Sequence, residues 1–198
     1  MKLSSPLTRI LIFALVFCVD YSFAQNTEYP EPFLKLDSQG VIYKANLEFE
    51  DKSINGNLAM NLDSTGFNVV LFSITGFTFF DFTIGANKVH WRKIPEYLDR
   101  KRFLKVLEND FRLLLLTPLK FGKIKKKNLN SVICKTTTGR SVAYEINNGN
   151  IEYGKLKSLF SKLRTEANYH YDFEEYPQSI EMKKSGLDMR IYLELKKD

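Results

Sequence analysis

Few residues of this chain have the types and spacing needed for covalent chemistry. Beyond residue 24 there is one thiol, Cys134, and two imidazoles, His90 and His170. A thiolate beside an imidazole is a nucleophile–base pair. Cys134, however, alternates in phase with Val132 and Thr136, the pattern of a small buried strand residue. The two histidines fall on different predicted strands without ligand-like spacing, so no metal site is expected. The chain has no glycine-rich phosphate loop and no G-x-S-x-G elbow. Glu174-Glu175 reads as a solvated pair beside a turn. The expectation is no catalytic residue, no cofactor and no enzyme.

The chemistry the residues do suit is binding. Phe72, Phe80, Phe82 and Trp91 lie on adjacent predicted strands in phases that would share one face. They are either ordinary core or the wall of an acyl-chain cavity, since such pockets are mostly apolar. Asp110 stands at the edge of an apolar helical stripe, where a lone carboxylate is costly. It either turns to water or latches to an arginine on the sheet such as Arg92. Lys120, Lys123, Lys125, Lys126 and Lys127 surround Gly122 in a stretch read as a solvated basic loop. Beside a lipid-handling cavity, these lysines would meet anionic headgroups. Gly76 breaks a hairpin whose turn exposes Phe77, a candidate contact with a membrane interface or a partner's apolar patch. The bland alternative has Phe77 folded back on Phe79.

One helix must organise these groups. Over Asp99–Leu116, stepping about 100° per residue, Phe103, Leu104, Leu107, Phe111, Leu114 and Leu115 fall within an arc of roughly 120°. Lys101, Lys105, Glu108 and Arg112 fall opposite. Asp99 is the expected N-cap, and Thr117-Pro118 the expected stop. Leu113 and Leu116 make the far end apolar on nearly every side, so the helix must lie against something large and apolar.

That surface is a sheet. Val41, Tyr43, Ala45, Leu47 and Phe49 alternate with polar residues, as do Ile54 to Leu62, Leu163 to Tyr171 and Leu187 to Leu195. Phe67–Ile74 and Phe79–Ile84 are apolar on both faces and are expected to be covered on both. Lys88–Lys93, Ser131–Thr137, Ser141–Ile146 and Ile151–Tyr153 are further strands, and Lys155 starts an expected helical turn running to Leu163. The count is about eleven antiparallel strands with the helix between the fifth and sixth. A sheet of that size curls through its twist. The predicted fold is mainly β: one large curved sheet, an open half-barrel, with the helix as a lid on its concave side. An outer-membrane barrel is disfavoured because Lys, Glu, Asp and Asn would face lipid.

The first residues read as an export signal. Lys2 and Arg9 precede the apolar run Ile10–Val19, which is too short to span a bilayer, and Ser22-Phe23-Ala24 supplies a cleavage site before Gln25. Residues 1–24 are therefore expected to be a signal peptide and residues 25–198 a single domain, periplasmic or otherwise exported. Lipidation at Cys18 is the competing expectation, opposed by Phe17 before it. The whole chain carries a formal charge of +6, lowered by one if Lys2, Arg9 and Asp20 leave. That mild excess permits contact with anionic lipid without demanding nucleic acid. Only Cys134 would remain, so no intramolecular disulfide can form.

In these features the chain resembles the LolA/LolB-like periplasmic carriers of bacterial lipoproteins. The shared points are the export signal, the half-barrel of about eleven strands and the mid-chain helix lidding an apolar cavity. The closest local likeness is FSITGFTFFDFTI, Phe72–Ile84. In the anchored branch of that family the corresponding turn carries an exposed apolar residue beside a glycine and touches the membrane. Gly76 fits the glycine, with Thr75 where the apolar residue would stand and Phe77 following. The resemblance implies a carrier of lipid or of an acylated protein. The cavity would be lined by Phe72, Phe80, Phe82, Trp91, Phe103, Leu107, Phe111 and Leu114, and Gly76, Phe77, Lys125, Lys126 and Lys127 would make a transient membrane or partner contact. A monomer is expected. The alternatives are a closed lipocalin-like barrel and an envelope interaction module without ligand.

Overall fold

The computed structural model describes Leu36 and residues 40–157, 164–172 and 175–197. The expected signal peptide, residues 158–163 of the expected helical turn and Glu174 lie outside them. Alternation decides the architecture. In β1 (Val41–Phe49), Tyr43 and Ala45 are buried while Ile42 and Lys44 are exposed. In β12 (Met189–Leu195), Met189, Ile191 and Leu193 are buried while Arg190 and Tyr192 are exposed. A strand has one buried face when successive side chains point to opposite sides. The others are β2 (Lys52–Leu62), β3 (Phe67–Phe72), β4 (Thr78–Ile84), β5 (Val89–Lys93), β6 (Lys123–Asn128), β7 (Ser131–Lys135), β8 (Ser141–Asn147), β9 (Asn150–Lys157), β10 (Arg164–His170) and β11 (Ser179–Ser185).

These twelve strands form one antiparallel, half-barrel-like sheet that does not close, in the order β5-β4-β3-β2-β1-β12-β11-β10-β9-β8-β7-β6. It consists of two meanders, joined where β1 pairs with β12, Ala45 opposite Leu193. The free edges are β5 and β6, and the chain passes from one to the other through a 3₁₀ turn (Glu96–Leu98), helix α1 (Lys101–Leu114) and helix α2 (Thr117–Phe121). The helices thus lie across the buried face, α1 in contact with β9 and β10 and α2 with β6 and β7. Where α1 meets β9 the strand has Gly154. A Cβ there would lie 3.0 Å from Leu113 Cδ1 and 3.1 Å from the Tyr144 ring, so glycine lets the helix approach closely and any larger residue would push these side chains aside.

Several expectations are corrected. The lysine-rich stretch is not a loop. It is the edge strand β6, paired to β7, with Lys127 opposite Val132. Strand β9 continues to Lys157, so no helical turn starts at Lys155. Asp99 does not cap α1. The cap position is Arg100, which makes no side-chain bond, and the Asp99 backbone N–H closes the 3₁₀ turn on Glu96. The helix also stops before Thr117-Pro118. Leu116 takes φ 55°, turning the chain into a second short helix with proline in its first turn.

The outer face of β3 to β5 is not covered. Val70 and Phe72 are half-buried. Asp63, Asn68, Thr83, Arg92 and Asp81 link across this face. Asn68 Nδ2 donates to Asp63 Oδ2 (2.7 Å), Thr83 Oγ1 to Asn68 Oδ1 (2.7 Å), Arg92 Nη1 to Thr83 Oγ1 (2.6 Å) and Arg92 Nε to Asp81 Oδ1 (2.8 Å). Asp63 also accepts from the Thr65 hydroxyl and from two turn N–H groups. These bonds hold its pKa at about 2, below the ordinary 3.8.

Candidate functional site

The site is built on α1, whose two halves are held differently. From Leu107 onward nearly everything is buried, including Asn109, Asp110 at the edge of the apolar arc and Arg112 on the side expected to face water. Three hairpins account for this. The β4–β5 turn receives Arg112, whose Nη1 donates to the Gly85 carbonyl (3.1 Å) while Nε and Nη2 pair with Glu108 (3.0 Å each). The β7–β8 turn reaches Asn109, to which the Thr138 hydroxyl donates (3.0 Å). The β10–β11 pair supplies Lys184 and Thr165 to Asp110. The helix end is tied down too, since the Leu113 carbonyl accepts from the hydroxyls of Tyr169 (2.8 Å) and Tyr144 (3.5 Å). Those bonds satisfy a carbonyl that a helix terminus leaves open.

Asp110 is the polar latch, but its partner is not Arg92. With Trp91 facing the helix, period 2 turns Arg92 to the outer face, onto Asp81. Asp110, 0% exposed, accepts from Lys184 Nζ at 2.6 and 2.7 Å and from Thr165 Oγ1 at 2.8 Å. Lys184 Nζ also donates to Thr165 Oγ1 (3.0 Å). Burial raises the carboxyl's pKa against the opposing pull of the ammonium and the bonds it receives. The sequence carried a signal for this pair. Lys184 shares the inward phase of Ile180 and Met182, as Thr165 shares that of Ala167 and Tyr169.

The first half of α1 has none of these ties. Lys101, Arg102 and Lys105 are exposed, Phe103 and Leu104 are half-buried, and no side chain caps the terminus. Two cations in an uncapped first turn oppose the helix dipole. Beneath this half lies an apolar cavity of about 30 Å³, bounded by Phe103 and Leu107, the 3₁₀ segment, and Phe49, Phe80 and Ile191 of the sheet. Lys52 stands at its rim with Nζ 4.6 Å from the centre of the Tyr97 ring.

Of the eight residues expected to line a cavity, Phe80, Phe103 and Leu107 do so. Phe82, Phe111 and Leu114 are buried core, and Trp91 packs on Phe82 at 4.6 Å, with Phe82 4.7 Å from Phe111. Phe72 is corrected to the outer face. Val69 and Leu71 face inward, opposite Phe82 and Phe80, so alternation turns Phe72 to the other side.

At the β3–β4 turn, Gly76 has φ 86° with open space around it, the conformation glycine adopts freely. Phe77 is 58% exposed although it packs edge-on against Phe79 (5.2 Å), and Lys93 Nζ lies 4.6 Å from its ring centre. More exposed than Phe77 is Ile74, 93% exposed, which sequence reasoning assigned to a strand. Lys125, Lys126 and Lys127 sit on β6, at the opposite free edge of the sheet from β5, and do not share the turn's hairpin.

Cys134 lies on the inner face, where burial pushes its thiol up to about 11, while His90 and His170 are exposed on the outer face. A thiol so shifted is a poor nucleophile. Among the described residues no helix is long and apolar enough to cross a membrane. Neither a scan against protein-family models nor a search of curated proteins finds a match for this chain.

Proposed function

We propose that the chain is an exported binder of a hydrophobic ligand, a lipid or the acyl chain of an acylated protein, taken up beneath the first half of α1. The observation that carries this reading is the position of the apolar cavity. It lies under the weakly held half of the helix and reaches the locked half only at its first residue, Leu107. Its 30 Å³ matches about one water molecule, so a chain must displace Phe103 and the turns around it. Burial of about ten methylenes contributes roughly 8 kcal/mol, ample to offset the loss of a few half-buried contacts. Export with cleavage rests on the pattern before Gln25; N-terminal sequencing of the protein from its host that found residues 1–24 retained, or a lipidated Cys18, would refute it.

The exposed turn supports a second element of the reading. One or two apolar side chains entering an interface contribute about 1–3 kcal/mol each, enough for transient docking on a membrane or partner. Ile74 and Phe77 beside Lys93 are suited to an anionic surface.

One set of variants tests both elements by titration with a fluorescent fatty acid and with anionic vesicles. Phe103→Glu is expected to stay folded and lose fatty-acid affinity by about tenfold or more. Phe111→Glu is expected to unfold, because an uncompensated buried charge costs several kcal/mol. Ile74→Asp is expected to keep fatty-acid binding and lose vesicle association. A wild type that binds no fatty acid, or a Phe103→Glu variant that binds it unchanged, removes the carrier reading.

A further inference from the structure

On the face of the sheet turned away from the helix, strands β8, β9 and β10 carry a polar groove of about 1160 Å³. The antiparallel register aligns Glu145, Tyr153 and Asn168 in one cross-strand row. The Asn147-Asn148-Gly149-Asn150 turn walls one end, with Asn148 and Asn150 lining the groove. Among the described residues the side chains of Asn130, Asn148, Asn150 and Asn168 make no hydrogen bond within the protein, and the Tyr171 hydroxyl is buried without a partner. Glu152 is held in place by Asn147 Nδ2 (3.0 Å).

We propose that this groove binds a neutral oligosaccharide. Side-chain amides offer a donor and an acceptor each, which matches a ligand whose hydroxyls need both. Tyrosine supplies a flat amphipathic face for a sugar ring. The other ligand classes fit poorly. No lysine or arginine lines the groove although the chain is basic overall; Lys155 reaches the Tyr153 hydroxyl (3.4 Å) from beside it but is paired with Glu166, and Glu145 and Glu152 repel phosphates and anionic lipids. Strands β8, β9 and β10 are interior, paired on both sides, so they give an extended peptide no open ladder to join. No group of three metal-binding side chains occurs among the described residues.

The full mature chain would be titrated, by calorimetry and by amide chemical shifts, with chitotetraose, maltotetraose, cellotetraose and mannotetraose, and with tetra-alanine as a neutral peptide. The expected result is saturable binding of at least one sugar, with shifts confined to β8, β9, β10 and the 147–150 turn. Tyr153→Ala should reduce that affinity by about tenfold. Asn168→Ala, which removes an outward amide with no bond inside the protein, should weaken it with unchanged thermal stability. The proposal is overturned if none of the sugars saturates, if tetra-alanine binds in their place, or if Asn168→Ala and Tyr153→Ala both bind as the wild type does.

Discussion

Residues 101–106 and 107–114 share one helix and the same backbone geometry, yet the molecule treats them as different objects. The second stretch has the Asp110–Lys184 pair, the Arg112 contact to Gly85, the Thr138 bond to Asn109 and two tyrosines on its terminal carbonyl. The first has Lys101 and Arg102 in an uncapped turn over a small apolar void. Amphipathicity alone would bury both equally. The difference comes from where three hairpins reach, and it teaches that polar contacts, as much as grease, decide which part of a buried helix can move.

The largest way to break the comparison is to cut the latch. Lys184→Ala leaves a carboxylate uncompensated in the core, and should cost about 3–5 kcal/mol in chemical denaturation. Replacing both partners at once, Asp110→Leu with Lys184→Met, should be neutral or stabilising by about 1–4 kcal/mol. A single variant as stable as the wild type would show that the pair does not hold the helix.

The helix and ten of the strands were legible from their residue patterns. Strand β6 was not. KIKKKN is exposed on every residue, so nothing alternates, and an edge strand guarded by lysines looks like a loop. Asp110 was legible as a latch, but its partner lies 74 residues away, beyond any local pattern. Only the inward phase of Lys184 marked it. Phe72 was misplaced although its period was readable, since it alternates with Val69 and Leu71, the residues that face Phe82 and Phe80. Arg112 looked solvated on a helical wheel, which cannot show the β4–β5 turn that covers it.

A smaller change sharpens the contrast in the other direction. Arg100→Ser places a capping hydroxyl at the open end of α1 and should stabilise the first half by about 1 kcal/mol. If that half must lift to admit a ligand, the fluorescent fatty acid should then bind more weakly and more slowly. Tighter binding would speak against lifting.

The smallest effect expected is on the clasp around Arg112, reached through acid. Asp63 closes the turn before Phe67, and Phe67 pairs with Ile84 beside Gly85. The folded carboxyl titrates at about 2 against 3.8 when free. Its contribution is therefore complete above 3.8 and lost as pH falls from there towards 2. Amide exchange at Thr65 and Gly66 should rise over that window in the wild type. It should be flat in Asp63→Asn; an equal rise in both would assign the acid sensitivity elsewhere.

Hydrogen exchange along α1 of the unliganded protein, followed at increasing denaturant, tests the division of the helix most directly. The amides of Leu104 to Val106 should exchange through a local opening well below the free energy of global unfolding, while those of Phe111 to Leu115 exchange only with it. A single opening free energy for both stretches, or earlier release of the second, would contradict the account.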